Sequence, residues 1–491
     1  MRFTRRPDPG AARHRGDRWA GGHNEPVTRI AIIGGGPAGY EAALVAAQLD
    51  AEVTVVEQAG LGGACVLYDC VPSKTFIATA ETMTALRGAA RLGVRATDPA
   101  EVTIDTPAVH GRVKDLALAQ SADVRARLAR EGVELRDGTA RFAERQDART
   151  TYSLRVEPSG ELLTADVVLV ATGASPRTLP GAEPDGERIL TWRQVYDLPE
   201  LPTHLVVIGS GVTGAEFASA YRELGVPVTL VSSRDRVLPG EDPDAAEVLE
   251  RVFAQRGMEI LKRARAGMVR RTEKGVLVEC DNGRTVAGSH ALLTVGSVPN
   301  TRGLGLEHVG VQRTAGGFIP VDRVSRTGQP GIYAAGDCTG VLMLASVAAM
   351  QGRIAMWHAL GAAVAPLRLA TVSANVFTHP EIATVGVQHA AVETGSVPTR
   401  TVRLPLATNA RAKMQGVRDG FVKVYCQPRT GAVLGGVVVA PYASELILPI
   451  ALAVQNRLTV DQVAASFAVY PSMSGSLTEA ARRLMTHDDL G

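Results

Sequence analysis

Cys65 and Cys70 stand five positions apart in Gly62-Gly63-Ala64-Cys65-Val66-Leu67-Tyr68-Asp69-Cys70-Val71-Pro72-Ser73-Lys74. Two thiols at this spacing can cycle between dithiol and disulfide if the backbone lets the sulfurs meet. A regular helix would hold Cα atoms five residues apart at roughly 8–9 Å. A disulfide tolerates no more than about 7 Å. A bonded pair therefore requires a local distortion of the chain. A helix opening inside the stretch would also lower a thiol pKa through its positive end. Two inert core cysteines are the plain alternative. Lys74 closes the stretch and is one of only six lysines in the chain.

The elements that must position these residues are legible on both sides. Arg29 to Ile33 is a short apolar, β-branched run, as expected of a buried parallel strand. Gly34, Gly36 and Gly39 follow at GxGxxG spacing, and a helix is expected from Tyr40 to Leu49. In this pattern the first glycine makes a tight turn and the second lets a pyrophosphate reach the backbone. The third lets the helix pack on the sheet with its N-terminus towards the phosphates. Val53 to Glu57 reads as the second strand, and Glu57 ends it where an acid can hold a ribose.

The same pattern recurs. His204 to Ile208 leads into Gly209, Gly211 and Gly214, a helix through Tyr221, and the strand Val228 to Val231. Two fingerprints imply two dinucleotides, FAD and a nicotinamide. The second strand ends in Ser232-Ser233-Arg234 rather than an acid. An acid there favours NAD, whereas an arginine can take the 2′-phosphate of NADP, so Ser233 and Arg234 lean towards NADPH. Further apolar runs end in Thr172-Gly173, at Gly296 and in Gly336-Asp337, all candidate cofactor contacts. Helices are expected over 103–135 and 344–360. From about residue 367 the pattern changes to alternating runs of an antiparallel sheet with helices between them. The expected fold class is α/β: two Rossmann-like dinucleotide-binding domains plus an α+β C-terminal domain. The expected units are a disordered extension at 1–26, a first dinucleotide domain at 27–180 continued at 298–366, a second at 181–297, and the last at 367–491.

Composition narrows the functional classes. The formal net charge is +2 and 45% of residues are hydrophobic, which fits a soluble globular protein without a field that recruits nucleic acid. Five cysteines in 491 residues make no secreted disulfide framework, so the expected compartment is the cytoplasm. No apolar run is long enough for a membrane span. No cluster of metal-ligand spacing is expected. The arginine-rich first 26 residues have no apolar core of a signal peptide.

Taken together, Gly62 to Lys74, Gly331 to Asp337 and Phe377-Thr378-His379-Pro380-Glu381 resemble the pyridine nucleotide–disulfide oxidoreductases. Asn409 to Lys413 and Gly420 to Val424 resemble the lipoamide dehydrogenase branch of that family. The resemblance implies FAD in the first domain, with Glu57 on the adenosine ribose, Gly63 in the cradle, and Asp337 on the flavin side. It also implies Lys74 near the flavin, paired with Glu216; Cys70 against the flavin; and Cys65 as the exchanging thiol. A homodimer is implied, with the last domain at its interface. Members lend a His–Glu pair across that interface. Here, aligned on Pro471, those positions are Tyr470 and Gly475. Leu67 and Asp69 also depart from the usual Asn and Gly, and Asp69 beside Cys70 works against a thiolate by like-charge repulsion. The resemblance is nearest to members that lack the His–Glu pair and pass electrons from NAD(P)H to quinones. A disulfide reductase using Cys65 and Cys70, such as a dihydrolipoamide dehydrogenase, and a non-catalytic docking subunit are the alternatives.

Overall fold

The structure is a computed structural model that describes residues 27–94, 102–144 and 151–485. Strand β1 (Arg29–Ile33) is buried over its last four residues and leads straight into helix α1 (Pro37–Gln48). The chain returns through β2 (Glu52–Glu57), the short helix α2 (Gly63–Leu67) and the long helix α3 (Cys70–Gly88). Helix α4 (Thr106–Arg130) and strand β3 (Glu134–Asp137) follow. The parallel sheet runs in the order Ile332–Ala334, Val167–Val170, β1, β2, β3. Its strands are Val- and Ile-rich because both faces are covered.

A second parallel sheet repeats the design, in the order Glu259–Leu261, Val228–Val231, Leu205–Ile208, His290–Leu293, Ile189–Thr191. Helices α5 (Val212–Glu223) and α6 (Pro243–Gln255) belong to it. Helix α7 (Ala345–Ala359) lies along α1 so closely that a Cβ at Gly352 would stand 2.1 Å from the Ala38 carbonyl oxygen. The last part is a five-stranded antiparallel sheet in the order Ser373–Val376, Glu381–Gly386, Val433–Ala440, Phe421–Cys426, Arg400–Pro405.

Two features depart from the sequence expectation. The expected helix over 103–135 stops at Arg130, and Glu134–Asp137 joins the sheet beside β2 instead. Gly132, with φ +77°, makes the turn between them. The edge strand Arg400–Pro405 was not expected at all. The expected extension at 1–26 lies outside the described residues.

The packing of α3 on α5 matters most for the site. Phe76 is fully buried there, with its ring 5.0 Å from that of Tyr221 and 6.0 Å from that of Tyr196. This aromatic core fixes the two helices, so Lys74 on one and Glu216 on the other face each other across the boundary between the two parallel sheets.

Candidate active site

Both glycine loops are shaped by contacts that no side chain could survive. A Cβ on Gly39 would lie 1.9 Å from the Gly34 carbonyl oxygen, and one on Gly214 would lie 1.9 Å from that of Gly209. Gly34 and Gly209 themselves sit at φ +104° and +112°. Open space remains over Gly211, and Gly36 faces only Gly63, whose Cα is 4.0 Å from a Cβ built on Gly36. Neither α1 nor α5 carries a side-chain N-cap. Their first-turn N–H groups are therefore available to an anion, as a dinucleotide pyrophosphate requires. The residues present fit both dinucleotides.

The strand ends differ. Glu57 takes the Gly35 N–H at 2.6 Å and the Ala59 N–H at 2.7 Å, leaving further lone pairs on each oxygen for a ribose. Registers Ile33 with Val56 and Ile208 with Val231 place Ser232 where Glu57 stands in the first unit. Ser232 is fully buried and its Oγ lies 2.7 Å from Ser210 Oγ. The acid is thus replaced by a neutral hydroxyl pair, while Ser233 and Arg234 lie exposed just beyond it.

Thr172, Gly173 and Gly296 gather where the chain crosses between the sheets. Thr172 Oγ1 donates to the Asn300 carbonyl at 2.6 Å, and Asn300 Nδ2 donates to the Thr172 carbonyl at 3.0 Å. Gly173 and Gly296 both take positive φ, at +66° and +94°. The Gly336 N–H donates to Gln351 Oε1 at 2.9 Å. Next to it, the Asp337 carboxyl has no protein hydrogen-bond partner among the described residues. Burial, aided by the Asp69 charge, pushes its pKa up to about 6. A carboxyl in that position fits the hydroxyls of a flavin side chain.

The cysteine stretch breaks between its two cysteines. Helix α2 ends at Leu67 and α3 begins at Cys70, with Tyr68 at φ −136° and Asp69 at φ −123°, ψ −92° between them. Both cysteines are free thiols. The Cys70 thiol hydrogen-bonds to Cys65, and this holds Cys65 below its usual pKa despite burial. The same bond, together with burial and the Asp69 charge, pushes Cys70 far up. The thiol whose pKa is lowered is Cys65 in α2, through its bond with Cys70, while Cys70 at the opening of α3 is raised.

Lys74 and Glu216 form the centre of the site. Lys74 Nζ donates to Glu216 Oε2 at 2.9 Å and lies 4.7 Å from the centre of the Phe377 ring. Burial lowers the lysine pKa, but the charges of Glu216 and Cys70 outweigh it and leave the pKa raised. The other oxygen of Glu216 accepts the Phe377 N–H at 2.9 Å. One carboxylate thus ties together α3, α5 and the start of the C-terminal sheet. Phe377 was not singled out by the sequence as part of this contact.

Tyr470 does not join this cluster within its own chain. It is 85% exposed, with Phe467 and Val469 also exposed, on the loop before Gly475–Leu484. These residues line a cavity of about 350 Å³ that also includes Ser472, Gly475 and Glu479. Glu479 is the one carboxylate in that lining among the described residues, and sequence reasoning missed it. Hydrogen bonds from Arg482 and Arg483 hold its pKa down to about 2. The arginines at i+3 and i+4 were the available signal.

No group of three potential metal ligands is found among the described residues. No helix among them is long and apolar enough to cross a membrane.

Comparison with known proteins agrees with this geometry. Residues 28–352 match the family model of pyridine nucleotide-disulphide oxidoreductases, and residues 372–481 match the dimerisation domain of that family. The chain is 62% identical over 470 residues to an NAD(P)H dehydrogenase (quinone) of Mycobacterium tuberculosis, covering 94% of this chain and 95% of that one. It is 34% identical over 456 residues to a dihydrolipoyl dehydrogenase of Chlorobaculum tepidum, covering 92% and 96%. The crystal structure of LpdA from Mycobacterium tuberculosis superposes with a TM-score of 0.90 at 61% identity, covering 94% of this chain and all of that one. With paired glycine loops and a dimerisation domain accounted for, this chain belongs to the pyridine nucleotide-disulphide oxidoreductases, enzymes that use FAD and a nicotinamide dinucleotide.

Proposed function

We propose that this enzyme takes electrons from NAD(P)H, with a lean towards NADPH, and passes them to quinones, acting as a homodimer in the cytoplasm. The observation that carries this reading is the state of the acid–base position. Tyr470 and Gly475 offer no imidazole or carboxylate, and the nearby Glu479 is held ionised by two arginines. Thiol–disulfide exchange needs a base for the attacking thiol and an acid for the leaving one. Quinone reduction needs only a hydride donor, a flavin and access to it. The relative in Mycobacterium tuberculosis named for quinone reduction supports the same choice.

In this reading residues 27–180 with 298–366 bind FAD, 181–297 bind the nicotinamide dinucleotide, and 367–491 form the dimer interface. FAD, when bound, accepts a hydride and releases electrons to the acceptor. Gly34, Gly36, Gly39, Gly63 and Glu57 hold its adenosine and pyrophosphate end. Thr172, Gly173, Gly336 and Asp337 hold the rest, and Gly296 closes the crossing on the nicotinamide side. Lys74, with its charge kept by Glu216, presents a cation at the flavin position. Gly209, Gly211, Gly214, Ser233 and Arg234 receive NAD(P)H. Tyr470, exposed on its loop, closes the partner's site without serving as a base.

Two substitutions test the parts separately. Arg234→Glu is expected to raise KM for NADPH about tenfold while leaving KM for NADH nearly unchanged, because a charge-assisted contact to the 2′-phosphate is lost. Equal effects on both nucleotides would remove Arg234 from phosphate reading. Cys65→Ser is expected to leave quinone turnover within a few-fold of the parent, since no thiol relay is needed. Lost quinone reduction in a variant that still binds FAD and still bleaches with NAD(P)H would favour the disulfide reductase instead.

A further inference from the structure

We infer that Arg263 is a second specificity-determining residue of the nicotinamide site, forming with Arg234 a two-arginine clamp on the 2′-phosphate of NADPH. The two residues follow neighbouring strands. Glu259–Leu261 pairs in parallel with Val228–Val231, which pairs in turn with Leu205–Ile208, the strand that leads into Gly209. The chain stays zipped beyond the strand ends. The Ser232 N–H donates to the Leu261 carbonyl, the Ala264 N–H to the Ser232 carbonyl and the Arg263 N–H to the Arg234 carbonyl, each at 2.8 Å. Ser232 Oγ, 2.7 Å from Ser210 Oγ, joins this edge to the glycine turn. The backbones of Arg234 and Arg263 are thus held against each other at the carboxyl ends of the strands, where a dinucleotide ribose lies in this kind of sheet.

The edge is strained, and its two arginines are left unengaged. Six non-glycine residues among those described take positive φ, and two of them, Leu238 and Arg263, both at +52°, border this edge. Such residues persist where the surrounding structure imposes them, and they gather at functional sites. At Arg263 the N–H is fixed by Arg234, and the carbonyl accepts Asn282 Nδ2 at 2.8 Å. Leu238 donates its N–H to the Ser210 carbonyl at 2.8 Å. The side chains of Arg234 and Arg263 are exposed, with no hydrogen bond or ion pair among the described residues. Asp235, exposed between Arg234 and Arg236, pairs with neither. By contrast, Lys262 is engaged by Glu250 at 2.6 Å, and the Arg236 guanidinium by the Pro239 carbonyl at 3.4 Å.

The chemistry of the ligand calls for two cations. A phosphate monoester carries close to two negative charges at neutral pH. One guanidinium answers one of them, through parallel N–H bonds to two phosphate oxygens. A second arginine beside Arg234 answers the other. NADH carries only a ribose hydroxyl at that position and gains little from either. The inference rests on the lean towards NADPH in the proposed function and names the residue that would produce it together with Arg234.

The test is calorimetric binding of 2′-phospho-ADP-ribose and of ADP-ribose to the oxidised holoenzyme. The two ligands differ only in that phosphate, and neither can donate a hydride. The parent should bind the phosphorylated ligand at least about tenfold more tightly, the worth of one charge-assisted contact. Arg263→Asn, a side chain suited to positive φ, should weaken the phosphorylated ligand about tenfold and leave ADP-ribose within about twofold. Arg263→Gly serves as the second variant should the asparagine protein fail to retain FAD. Arg265→Asn removes an exposed arginine two positions on and should change neither affinity. A parent that discriminates, with Arg263 variants that discriminate equally well, would overturn the clamp and leave the lean towards NADPH standing on Arg234. An Arg265→Asn loss as large as that of Arg263→Asn would also overturn it, by reducing the effect to a general basic field. A parent that binds both ligands alike would remove the lean itself and the clamp with it. None of these outcomes bears on quinone reduction.

Discussion

Glu216→Ala is expected to lower stability by about 3–5 kcal/mol, the usual cost of removing one partner of a buried ion pair. Glu216 is 5% exposed and satisfies two donors at once, the Lys74 ammonium and the Phe377 N–H. Truncation leaves a mostly buried cation with no counter-charge and an amide with no acceptor. It also removes one of the two ties from α5 to the segment after Ser373–Val376, leaving the His379 N–H on Ser219 Oγ. Glu216→Gln should cost less, because an amide oxygen can still accept the Phe377 N–H. The check is the urea midpoint of each variant, read with flavin retention on the same preparation. An alanine variant within about 1 kcal/mol of the parent would mean that Lys74 finds another partner, and the three-way tie would lose its structural meaning.

The second large effect is a gain. Tyr470→His combined with Gly475→Glu should raise lipoamide reduction by about 10²-fold or more, the usual worth of general acid–base help. The pair would restore a base and its orienting carboxylate on a loop that already lies exposed beside a cavity. Each single change should do much less, because a histidine without its carboxylate is poorly oriented, and a carboxylate alone cannot act in both directions. The measurement is NADH-linked lipoamide turnover with quinone turnover recorded in parallel. No gain in the double variant would place the fault in the cysteine pair itself, where Asp69 and the raised Cys70 pKa already act against a thiolate.

Much of this site was legible in the sequence because its chemistry is local. The glycine spacings around Gly34 and Gly209 announce two nucleotide loops, and the structure places them on equivalent strands. A bonded cysteine pair at five-residue spacing would need a broken helix, and the helix breaks at Tyr68 and Asp69 with both thiols free. What was not legible depends on distant segments. Tyr196 carries no motif, and its ring meets Phe76 of α3 and Phe217 of α5 only in the folded packing. The strand Arg400–Pro405 hid because its alternation is carried by arginine and threonine, and pairing with Phe421–Cys426 decides it. The pKa order of the two thiols depends on their mutual hydrogen bond, which spacing alone does not give.

The central claim is that electrons leave this enzyme for a quinone without a thiol relay. The most direct measurement is an anaerobic titration of the holoenzyme with NADPH until the flavin is bleached, followed by rapid mixing with a quinone in one syringe and lipoamide in the other. The account predicts that the flavin colour returns promptly with the quinone, within the time of a catalytic turnover, and scarcely at all with lipoamide. Prompt reoxidation by lipoamide with a sluggish response to quinone would contradict it.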